Sequence, residues 1–141
     1  MTRVAFIGLG NMGSGMAANQ AKAGREVVAF DLSADALSRA KEQGMKPASS
    51  AAEACNDADI VITMLPAGQH VRQVYADAIL PNARKVVVVE ASSGQLEDEL
   101  RLALSHAELP PPPLSHVRRQ GGVLPSQAEI VQHVLNMEGV R

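Results

Sequence analysis

Six residues near the start of the chain, Gly8-Leu9-Gly10-Asn11-Met12-Gly13, have the spacing G-x-G-x-x-G, and Asp31 stands 18 residues after the last of them. Glycines at these intervals suit one kind of chemistry. The first permits a tight turn out of a strand, the second lets main chain approach a pyrophosphate, and the third lets a helix pack closely on a sheet. A helix that opens at such a loop offers an anion unpaired N–H groups and a partial positive charge of roughly half a unit. A carboxylate about 20 residues further on can accept hydrogen bonds from adenosine ribose hydroxyls. Gly8, Leu9, Gly10, Asn11, Met12, Gly13 and Asp31 are therefore the candidate cofactor-binding residues, with main-chain amides near Asn11 and Met12 as donors. The Asn11 side chain reads equally as a local helix cap. Asp31 repels a 2′-phosphate, and Leu32 and Ser33 follow it where an arginine would be needed, so NAD is expected before NADP.

That chemistry requires strand, turn, helix and strand in sequence. Residues 4–7 are a short apolar run ended by Gly8, which suits a buried parallel strand. Helical composition follows over 12–23 and is closed by Gly24, and residues 26–30 give a second strand ending beside Asp31. Ser33 can cap a helix that ends at Gln43. Residues 45–48 suit only an edge strand, because Pro47 removes a ladder donor. Ser50 and Glu53 have capping-box spacing. Strands are expected over 60–64 and 85–90, and helices over 69–75 and 96–107. Strands alternating with helices predict an α/β, Rossmann-type doubly wound parallel sheet.

The character changes near residue 109, since five of the eight prolines lie beyond it. The reading is a dinucleotide-binding domain over 1–108, a Pro-rich linker over 109–125 and a C-terminal helix over 126–141, with Ser126 and Glu129 as its capping box.

Composition removes several function classes. The net charge of −2 offers no broad cationic surface for nucleic acid or anionic lipid. No apolar run approaches the ~20 residues that span a bilayer. Residues 1–7 read as the first strand rather than as a targeting segment. The single cysteine, Cys55, reads as a small packing residue in a reducing compartment, with a cytoplasmic location expected, or the mitochondrial matrix if a targeting segment lies outside this chain. His70, His106, His116 and His133 read as surface or helix-end residues, with no metal spacing. The run Glu97-Asp98-Glu99 reads as a solvated first turn of a helix. No catalytic set is assigned.

The residues Val4-Ala5-Phe6-Ile7-Gly8-Leu9-Gly10-Asn11-Met12-Gly13, Met16-Ala17, Phe30-Asp31 and Ile62-Thr63-Met64-Leu65-Pro66 together resemble the β-hydroxyacid dehydrogenase family. Within it they are most similar to the 3-hydroxyisobutyrate dehydrogenases, a resemblance that covers residues 3–93. It implies an N-terminal NAD- or NADP-binding domain, with Leu65 and Pro66 as a turn that contacts the cofactor. It implies a hydroxyl of Ser93 facing the nicotinamide side, although Gly94-Gln95 departs from the family pattern. The implied activity is hydride transfer between NAD and a small β-hydroxyacid, with a place in valine catabolism. The family's catalytic lysine and all-helical C-terminal domain have no counterpart in these residues, as Lys41, Lys46 and Lys85 match no catalytic position. The chain alone is therefore expected to be inactive, and to self-associate through the surface that the helical domain would cover. Two alternatives stand beside this: a non-catalytic nucleotide-binding or interaction module, and an NADPH-dependent glyoxylate or semialdehyde reductase-like fragment.

Overall fold

The computed structural model describes residues 1–79, 83, 86–90, 94–106, 112–119 and 123–136. The first strand, β1 (Arg3–Ile7), is buried on both faces. It pairs in parallel with β2 (Glu26–Phe30) on one side and β4 (Ile60–Thr63) on the other. The short β3 (Lys46–Pro47) pairs with β2 through Ala29 and Pro47 at the sheet edge, where proline costs no central ladder bond. The order β3-β2-β1-β4 is the first part of the doubly wound order 3-2-1-4-5-6.

Alternating residues of β1 feed two cores, one on each face of the sheet. Phe6 packs with Leu9, Ala17, Val27, Ala29 and Ala36, under α1 (Gly13–Lys22) and α2 (Ala34–Glu42). Ala5 and Ile7 pack with Val28, Ala54 and Ile79, under α3 (Ala51–Cys55) and the segment after α4 (Gly68–Val74). That segment, Tyr75–Ile79, is a single π-helical turn that the sequence pattern did not announce. It buries Ala78 and Ile79.

The expected caps are present. Ser33 Oγ accepts from the Ala36 amide at 3.3 Å, and Ser50 Oγ accepts from the Glu53 amide at 3.0 Å. The return arm of the second box is displaced by one residue, since Glu53 accepts from the amide and hydroxyl of Ser49. Cys55 is 7 % exposed, and burial pushes its thiol up to about 11. The thiolate is the nucleophile, so alkylation at pH 8 should be slow in the folded chain and rise steeply once urea unfolds it. Equal native and unfolded alkylation rates would contradict the buried position.

The last strands depart from the sequence reading in two ways. Residues 109–125 were expected as a linker, yet Leu114–Arg118 form β6, paired in parallel with β5 (Val86–Glu90). The Pro-rich composition before it masked a five-residue strand whose stability comes from a distant partner. Beneath this pair, Val86 and Val88 pack with Leu100 and Ala103 of α5 (Gln95–His106). Among the described residues, no ladder joins β5 to β4. Instead Tyr75 packs against both neighbouring cores, and its hydroxyl lies 3.1 Å from Thr63 Oγ1 on β4. The final helix, α6 (Gln127–Asn136), has its full capping box, with Glu129 accepting from Ser126 and Ser126 accepting from the Glu129 amide.

The acidic run at the start of α5 is not a uniformly solvated face. Glu97 is 6 % exposed and accepts from Arg101 Nε and Nη2 at 2.9 and 2.6 Å. His116 and Arg118 of β6 lie at 3.4 and 3.6 Å from its other oxygen. The Arg101 hydrogen bond holds this carboxyl below the usual carboxylate range. Glu99 pairs with Arg72 of α4. A buried carboxylate needs such partners, and here they fasten α5 to β6 and to α4.

Candidate functional site

Gly8 turns the chain out of β1 with φ +97°, in the left-handed region that favours glycine. A Cβ on Gly8 would lie 2.2 Å from the Met64 carbonyl oxygen, and a Cβ on Gly13 would lie 2.0 Å from the Gly8 carbonyl oxygen. Both glycines are thus demanded by the protein's own packing. Gly10 is different. A Cβ there would meet nothing within 4 Å, and its backbone is not left-handed.

The open space beside Gly10 is a cavity of about 450 Å³ at the carboxyl ends of β1 and β2. Leu9, Gly10, Asn11 and Ser14 line one wall, and Asp31, Ser33, Ala36 and Arg39 line the other. α1 opens onto this region without a side-chain cap from Asn11 or any other residue, whereas α2 and α3 are each capped by a serine. The uncapped end leaves main-chain donors and the positive end of the helix dipole for a ligand anion.

Asp31 ties the two walls together. Its Oδ2 accepts from the Leu9 amide at 2.7 Å, and its Oδ1 accepts from the Ser33 amide at 2.8 Å. Each oxygen keeps further lone-pair capacity for a ribose hydroxyl. The amide of Leu9 is therefore committed to holding the loop, and its side chain is buried.

The structure brings Leu9, Gly10, Asn11 and Asp31 to the cavity and places Gly8 and Gly13 behind it as packing. Met12 is the residue flanking the start of α1, and its side chain is exposed. Leu65 packs against the Ile7 core, and neither it nor the exposed Pro66 lines the cavity. Ser93 lies outside the described residues. Val71 of α4 is 5 % exposed and belongs to the core. Ser33, Ala36 and Arg39 went unnoticed as site residues. Their spacing by three is the available signal, because it sets Ala36 and Arg39 along α2 behind the capping Ser33. Arg39 also modifies the expectation that Asp31 has no arginine near it. One is absent beside Asp31 in sequence and present with it in the lining of the cavity.

A family model described as the NAD binding domain of 6-phosphogluconate dehydrogenase matches residues 3–109. The chain belongs to this family. Among curated relatives, 3-hydroxyisobutyrate dehydrogenase of Pseudomonas aeruginosa is 48 % identical over 96 residues, covering 66 % of this chain and 32 % of that protein. The 3-sulfolactaldehyde reductase of Escherichia coli is 46 % identical over 74 residues, covering 52 % of this chain and 25 % of that protein. Among solved structures, Mycobacterium tuberculosis 3-hydroxyisobutyrate dehydrogenase with L-serine superposes with a TM-score of 0.65 at 38 % identity, covering 86 % of this chain and 42 % of that one. This NAD-binding domain thus spans a quarter to two-fifths of the length of these proteins. Its partner is a nicotinamide dinucleotide. Among the described residues, no group of His, Cys, Asp or Glu could hold a metal ion, and no helix is long and apolar enough to cross a membrane.

Proposed function

We infer that the chain holds NAD in preference to NADP, as the cofactor-binding part of an oxidoreductase acting on a small β-hydroxyacid of the 3-hydroxyisobutyrate type. The observation that carries this reading is the cavity in which Gly10 and Asp31 meet. Neither packing nor backbone conformation requires glycine at position 10, and the missing Cβ faces open space. A pyrophosphate against the amides at the mouth of α1, with its ribose on Asp31, fits both features. The chain would supply binding and orientation, while the dinucleotide when bound supplies hydride chemistry. Gly8, Leu9, Gly10, Asn11, Met12, Gly13 and Asp31 are the proposed binding residues, with Leu65, Pro66 and Ser93 as further contacts on the strength of family resemblance.

Titrating the chain with NADH tests the reading. Saturable binding is expected, and at ligand about 100 times Kd the linkage adds about 2.7 kcal/mol of stability, seen as a raised thermal midpoint. No saturation and no thermal shift would remove it. With NAD and 3-hydroxyisobutyrate, these 141 residues alone are expected to give no NADH above background. A location in the cytoplasm or mitochondrial matrix accompanies this proposal, as does self-association through exposed apolar residues such as Ile60, Leu124 and Val131.

A second reading, a non-catalytic nucleotide-binding module, has one observation in its favour. The residues after 109 include a paired strand and a capped helix, which is more order than an arbitrary tail requires. Binding of NADH without turnover is common to both readings, and dehydrogenase turnover by this chain would eliminate the second.

A further inference from the structure

We propose that Arg39 is the residue through which the cavity reads the adenosine 2′ position, binding a 2′-phosphate and so limiting how strongly Asp31 excludes one. The proposal rests on the cofactor reading above. Ser33 caps α2, Ala36 and Arg39 stand three apart along it, and all three line the cavity with Asp31. Ala36 contributes only a methyl group between the hydroxyl and the guanidinium. Among the described residues Arg39 has no ion-pair partner.

Asp31 does not neutralise it. Both carboxylate oxygens already accept main-chain N–H groups, from Leu9 and from Ser33. Among the described residues no ion pair joins Asp31 to Arg39. The cavity therefore presents two uncombined charges of opposite sign to whatever sits at the 2′ position. Ribose hydroxyls donate to Asp31, while a phosphate is repelled by Asp31 and bound by the planar fork of Arg39. The preference is set by the difference between two strong terms rather than by the carboxylate alone. Replacing Asp31 removes the repulsion and also frees the Ser33 amide, leaving a cation and an N–H donor on the same wall.

The test is the ratio of NADPH to NADH dissociation constants, with 2′-AMP and 5′-AMP as competing probes. Arg39→Ala should raise that ratio about tenfold, the loss of one charge-assisted contact to phosphate. Asp31→Ser should lower it about tenfold or more, and the double variant should lose most of that gain. Raising salt should weaken NADPH binding more in the native chain than in Arg39→Ala. If Asp31→Ser does not fold, Arg39→Ala in the native background still decides, because Arg39 is exposed on α2. A ratio unmoved by Arg39→Ala overturns this proposal while leaving the NAD reading intact. Failure of the native chain to bind either dinucleotide overturns both.

Discussion

Gly8→Ala should lower the unfolding free energy by about 3–5 kcal/mol, combining the cost of a left-handed alanine with that of an overpacked backbone contact. The new Cβ would stand 2.2 Å from the Met64 carbonyl oxygen. The Met64 main chain is itself anchored to β1, its amide donating to the Ile7 carbonyl at 2.8 Å. The Gly8 amide is likewise held, by Phe30 O at 2.9 Å. Relief therefore requires β1, β2 and the end of β4 to shift together. Domains of this size are stable by only about 5–15 kcal/mol, so the variant should lose a large part of its stability. Gly24→Ala is the control. It has φ +79° but nothing within 4 Å of an added Cβ, so it should cost only about 1–2 kcal/mol. Urea midpoints of the two variants measure the contrast, and equal midpoints would show that the Met64 contact is not what demands glycine.

Local signals carried much of this fold because local physics fixes it. The apolar run of β1 is buried on both faces as its composition requires, and the serines at 33, 50 and 126 cap the helices that follow them. Pro47 sits at the edge of the sheet, where its missing N–H is harmless. What the sequence concealed depends on long-range placement. β6 forms against β5 across α5, and no local pattern encodes that pairing. Glu97 looks like an ordinary first-turn acid, and only the arrival of His116 and Arg118 from β6 makes it a buried charge centre. Arg39 became a site residue through the rotation of α2 about its axis, which brings a side chain eight residues past Asp31 back to the same cavity. The spacing of the glycine loop already separated its three glycines by role, and the structure adds what a Cβ at each would touch.

That separation leads to the larger functional effect. Gly10→Val should leave the fold stable and weaken NADH binding about 100-fold, a loss of about 2.8 kcal/mol. The two halves of this expectation have separate causes. Stability should hold because the added side chain enters open space beside a backbone already in an ordinary conformation. Binding should fail because that space is where main chain and pyrophosphate must approach, and branched carbons would keep the anion from the donors at the mouth of α1. Gly10→Ala should give an intermediate loss of about tenfold, since a single methyl obstructs less. The measurement pairs an NADH titration with a urea midpoint on the same sample. A variant that unfolds would mean Gly10 serves packing like Gly8 and Gly13. A stable variant with native affinity would mean the dinucleotide does not pass over this loop, and the cavity would then need another occupant. Reduced affinity with an unchanged midpoint is the result that only a ligand at Gly10 produces.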